Sequence, residues 1–150
     1  MRQWSILLGI LVLVIGIYVL MQFWSVPGKA VNQASHTATP DSLVIVWTSG
    51  DRDVALKMVF MYALNAKKYE WWKDVTLIVW GPSAQLLSRD EELQAKISEM
   101  QQGGVVLKAC KGCSDQYGVS EKLSDIGIDV KYIGKELTEN VKSGKKILTF

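Results

Sequence analysis

The chain has 150 residues, 49% of them hydrophobic, and its 17 Lys and Arg nearly balance 15 Asp and Glu for a net charge of +2. A balance of this kind supplies no basic face, which excludes nucleic acid as a partner. With a membrane segment and a linker subtracted, the remainder suffices for one domain of roughly 110 residues.

From Ser5 to Phe23 no residue is charged. A helix over that run, rising about 1.5 Å per residue, spans a hydrocarbon core of roughly 30 Å. Trp4 and Trp24 bracket it, where interfacial indoles belong. A cleaved signal peptide has an apolar region of only about 7–15 residues closed by a small-x-small site, whereas Phe23-Trp24-Ser25-Val26-Pro27 follows here. The expectation is therefore an uncleaved single-pass anchor within residues 1–25. Arg2 and the N-terminal amine outweigh Lys29 by a narrow margin, so the positive-inside rule places the N-terminus in the cytoplasm and the domain outside it. Gly9 and Gly16 are too far apart for a G-x-x-x-G dimer motif. Residues 26–41, with Pro27, Gly28, Pro40 and small polar residues but no apolar periodicity, read as a flexible linker.

The remaining residues, 42–150, alternate between two patterns. Continuous apolar, β-branched runs at 43–47 and 75–80, with shorter ones at 105–109, 128–133 and 147–150, predict strands, the first two buried on both faces. Between them, helical stretches are expected at 53–68, 83–102, 114–126 and 137–142, punctuated by Gly103-Gly104, Gly127, Gly134 and Gly144. Strict alternation predicts a three-layer α/β/α domain with a mostly parallel five-stranded sheet. Functional residues in such a sheet collect at the carboxyl ends of the strands. The stretch Val54 to Leu64 is apolar almost all round, more than one sheet face requires, which predicts packing against a second copy of the chain. Burial within the same chain is the competing explanation.

Cys110 and Cys113 are the only cysteines, in Ala109-Cys110-Lys111-Gly112-Cys113 where an apolar strand gives way to a helix. A helix N-terminus favours the thiolate, the form that attacks sulfur, and Lys108 and Lys111 add positive charge nearby if they face it. A structural zinc site needs four ligands, which this pair and the single His36 do not supply. A thioredoxin-like pair lacks its usual flanking residues here. A persulfide carrier and an inert buried pair remain open. The loop Thr48-Ser49-Gly50-Asp51-Arg52-Asp53 lacks G-x-G-x-x-G and G-K-[ST], so Asp51 or Asp53 reads as a helix cap, while Arg52 is a candidate for an anionic sulfur species. With no histidine inside the domain, a histidine-based triad is excluded. Asp90-Glu91-Glu92 reads as a solvated helix face, and Trp71-Trp72 as a contact patch or as packing beneath the next strand.

Val46-Trp47-Thr48-Ser49-Gly50-Asp51, Val79-Trp80-Gly81-Pro82-Ser83, Ala109-Cys110 with its spacing to Gly118, and Gly134-Lys135-Glu136-Leu137-Thr138 together carry a resemblance. From Leu43 to Phe150 the chain resembles the DsrE/DsrF-like sulfur-relay family. The resemblance implies a compact α/β domain assembled as trimers or hexamers, with Cys110 as the sulfur-accepting cysteine. Cys113, where relay members often have a non-thiol residue, would assist or resolve, and Ser49, Arg52, Lys111 and Gly118 are supporting candidates. The chemistry needs no metal, histidine base or cofactor. A membrane anchor departs from the soluble relay members, so the sulfur donor and acceptor are not implied. Two classes follow: a sulfurtransferase or sulfur carrier, or a membrane-tethered oligomeric binding module or thiol-disulfide protein whose cysteine pair is structural or forms a disulfide.

Overall fold

The computed structural model describes residues 41–150. The expected anchor, with Ser5 to Phe23, and most of the linker lie outside them; among the described residues no helix is long and apolar enough to cross a membrane. Five strands, β1 (Ser42–Trp47), β2 (Asp74–Val79), β3 (Val106–Cys110), β4 (Asp129–Lys131) and β5 (Lys146–Thr149), form one sheet in the order β4-β3-β2-β1-β5. Every pairing is parallel, as the alternation predicts.

The strand order explains how the two faces are covered. The first three crossovers each step to a neighbouring strand, while the last carries the chain from one edge, β4, to the other, β5. Right-handed crossovers then put the early helices on one face and the last helix on the other. The thicker layer packs Leu43, Ile45, Trp47, Leu77 and Val79 beneath Val59, Phe60, Leu93 and Ile97. The opposite face buries Val44, Val46, Ile78, Cys110 and Ile133, with Leu137 of helix α6 (Gly134–Lys142) against them. Cys110 thus faces the thinner layer.

The first crossover is one continuous helix, α1 (residues 52–68), whose middle turns, Ala55–Phe60, are π-helical. Asp51 caps it, accepting from the amides of Asp53 at 2.7 Å and Val54 at 3.1 Å. Two expected helices are each split. The stretch 83–102 divides into α2 (Pro82–Arg89) and α3 (Glu91–Gln102) because Asp90 leaves helical geometry, at φ −111°, ψ 106°, and caps α3 through Leu93 N at 3.0 Å. The stretch 114–126 becomes α4 (Lys111–Gln116) and α5 (Ser120–Asp125), separated at Gly118. There φ is +66°, Gly118 N bonds Asp115 O and Val119 N bonds Ser114 O, a glycine-terminated helix end that a residue with a Cβ resists.

Candidate functional site

Cys110 is the last residue of β3 and the N-cap of α4, paired across the sheet with Lys131. Its carbonyl accepts from Ser114 Oγ at 3.0 Å, which ties the first turn of α4 to the strand end. Cys113 lies in that turn and packs against the same apolar cluster as Cys110. Both thiols are free; Cys110 is only 7% exposed, and Cys113 is partly exposed. Cys113 adjoins Cys110 and the backbone amide of Gly81. Burial, reinforced by the neighbouring Cys110, pushes the Cys113 thiol up against the opposing pull of that amide.

The Gly81 amide is held in place from two strands. Gly81 has φ +70°, and Pro82 follows as the first residue of α2. Ser83 Oγ, fully buried, donates to Trp47 O at 2.6 Å and accepts from Trp80 N at 3.0 Å, anchoring the turn to the end of β1. Tyr132, 71% exposed, lays its ring against the backbone between the cysteines, where a Cβ on Gly112 would lie 3.7 Å from Cε1.

The charged residues around the pair are engaged elsewhere. Lys111 Nζ bonds both carboxylate oxygens of Asp115 at 2.8 Å, and that contact raises its pKa. Lys108 pairs with Glu136 of α6, which Lys131 also reaches at 3.1 Å. Hydrogen bonds that Lys131 donates to Asp129 and Glu136 push its pKa up to about 12. Burial alone would raise the Glu136 carboxyl, but Lys108 and Lys131 outweigh it and hold it below the usual carboxylate range. Arg52 pairs with Asp90 at 2.7 Å and with Glu92, so two of the three acidic residues expected on a solvated face take its guanidinium. Ser49 accepts from Asp51 N at 3.1 Å within its own loop. Of the sequence candidates, Cys110 and Cys113 come together, and Gly118 ends the helix that bears Cys113. Sequence reasoning marked the Gly81-Pro82-Ser83 loop only as a strand end, and missed both its amide on Cys113 and the Glu136 pairing. A glycine before a proline at a strand's carboxyl end is the local signal for the first; nothing local signals the second.

A profile of the DsrE/DsrF-like family matches residues 41–150. The chain belongs to the DsrE/DsrF-like family. This family is associated with sulfur relay, and the free thiol pair lies at the carboxyl ends of the strands of its domain here. Among solved structures, a conserved protein of unknown function, BT1422 from Bacteroides thetaiotaomicron, is 42% identical, with a TM-score of 0.72 over 73% of this chain and 95% of that one. The ychN protein from E. coli, 20% identical with a TM-score of 0.58 over 73% of this chain and 98% of its own, shares the DsrE/DsrF-like fold. A search of curated proteins returned no match.

Proposed function

We propose that this chain is a membrane-anchored sulfur-relay protein that accepts sulfane sulfur as a persulfide on Cys110. The observation that carries the reading is the arrangement of the thiols: Cys110 ends β3 on the thinly covered face, and Cys113 lies on that same face in the first turn of the helix that Cys110 caps. In the loading step the Cys110 thiolate attacks the outer sulfur of a donor persulfide, R–S–SH. A new S–S bond forms on Cys110, the donor's S–S bond breaks, and R–S⁻ leaves. An acceptor thiolate removes the outer sulfur by the same exchange. Alternatively the Cys113 thiolate attacks the Cys110 sulfur, closing a Cys110–Cys113 disulfide and expelling HS⁻, after which an external dithiol must reduce the pair.

The anchor rests on the uncharged run Ser5 to Phe23, with the N-terminus in the cytoplasm and the domain beyond the membrane. Homo-oligomerisation rests on α1, where Met58 and Met61 stand outward beside a groove of about 220 Å³ lined by Leu56, Phe60, Met61, Leu64, Lys96 and Met100. The burial of Cys110 favours a second reading, a thiol-disulfide or binding module in which the pair is structural.

Intact mass after incubating the reduced protein with a sulfane donor separates the two. One added sulfur is expected, lost in Cys110→Ser and only weakened in Cys113→Ser. Loading that survives Cys110→Ser but not Cys113→Ser reverses the roles, and a wild-type chain that never loads supports the second reading.

A further inference from the structure

Cys110 is only 7% exposed, yet a thiol that exchanges sulfur must meet an outside reagent. The element that closes over it is α6. Lys108 and Cys110 stand two apart on β3 and so share one face of the sheet. Lys131 is the register partner of Cys110 on β4. Glu136 of α6 pairs with both lysines, at 3.1 Å in the case of Lys131, so its carboxylate bridges the two positions that flank Cys110 on that face. Ile133, fully buried just before α6, and Leu137 within it complete the apolar cover.

Apart from those contacts α6 is lightly held. Of its nine residues only Asn140 is buried, and Val141 is 61% exposed. In the other layer, α3 buries Leu93, Ile97 and Met100 outright. A segment that buries little apolar surface opens at a lower free energy than the core does. Ion pairs reached by water add only a small restraint.

We propose that α6 is the gate to Cys110 and that Glu136 is its latch. Lifting α6 parts Glu136 from Lys108 and Lys131 and withdraws Leu137, while the sheet stays intact. Closed, α6 leaves the partly exposed Cys113 as the thiol in reach of water; open, it uncovers Cys110. Glu136 touches no substrate and acts as a positioning residue. The gate takes from the sulfur-relay reading only the requirement that Cys110 be reached from outside.

Alkylation of Cys110 by iodoacetamide tests this in the full-length chain carrying Cys113→Ser, which leaves Cys110 as its one thiol. Amide deuteration is followed in parallel, at urea concentrations below the unfolding transition. The rate at Cys110 and exchange in α6 should rise only shallowly with urea while exchange in β2 rises steeply, because lifting one helix exposes less surface than unfolding the domain. Glu136→Gln should speed Cys110 alkylation and α6 exchange by the same factor, roughly two- to fivefold. Ile97→Val, in the other layer, should speed β2 exchange and leave the Cys110 rate at low urea unchanged. A Cys110 rate that shares the steep urea dependence of β2 means that only global unfolding reaches the thiol, and overturns the gate. A rate that Glu136→Gln leaves unmoved means entry by another route, past Cys113, and also overturns it. Sulfur loading is read separately: a chain that shows gated alkylation but never loads sulfane sulfur removes the sulfur-relay reading and leaves the gate standing.

Discussion

The Gly81 amide adjoins Cys113 and pulls its thiol down against burial, so the turn after β2 and the helix after β3 meet at the thiol pair. Gly81 sits at φ 70°, ψ −133°, and an added Cβ would meet nothing within 4 Å. Gly81→Ala therefore costs conformational strain rather than a clash, about 1–3 kcal/mol, read as a lower urea midpoint. Displacing the amide also removes the one contact that pulls the Cys113 thiol down, so alkylation of Cys113 moves to higher pH. Gly118→Ala is the control: it strains a left-handed residue by about 1–2 kcal/mol but leaves Cys113 alkylation where it was.

Cys113 is held up first by burial and second by its neighbour Cys110. Its alkylation by iodoacetamide, followed by peptide mass spectrometry across pH, should have a midpoint above the ordinary thiol value of about 8.5. Cys110→Ala should bring that midpoint only part of the way down, because burial remains. A wild-type midpoint at or below the ordinary value contradicts the geometry.

Glu136 ties α6 to β3 and β4 over the face that covers Cys110. Its value in the folded chain lies below the unfolded value of about 4.3, so the stabilisation is complete above that pH and fades as pH falls through the lower, folded value. Glu136→Gln should lower the stability at pH 7 by roughly 1 kcal/mol or less, read as a lower urea midpoint. The gap between wild type and variant should close as the pH is taken below 4.3; a gap independent of pH would assign the loss to packing.

Met58 and Met61, 48% and 56% exposed on α1, lie on the surface that the proposed oligomer assigns to a second copy. Light scattering on a chain beginning at Asp41 should report a species larger than the monomer, and Met58→Lys with Met61→Lys should return it to the monomer with unchanged far-ultraviolet circular dichroism. A well-folded wild-type monomer at high micromolar concentration removes the oligomer from the proposal.

Much of this domain is legible in the chain itself, because short-range periodicity encodes strands and helices directly. The apolar runs around Val44 and Ile78 mark buried parallel strands, and the alternation places Cys110 at a carboxyl end. The apolar spacing through Leu86, Leu93 and Ile97 hides the break at Asp90, since a capped helix following another keeps much the same periodicity. Likewise Val119, Leu123 and Ile126 carry the pattern past Gly118. The π-helical turns of α1 have no signature in the spacing of its apolar residues. Pairings at long sequence separation depend on which strands lie side by side, which no local pattern states. Only the order β4-β3-β2-β1-β5, with α6 crossing the thinner face, brings Glu136 to Lys108, the Gly81 amide to Cys113, and Ile133 over Cys110. The sequence alone singled out Cys110 and Cys113 as the candidate thiols; the tertiary structure decided how deeply Cys110 is buried, that burial raises the Cys113 thiol, and which carboxylates take up the nearby positive charges.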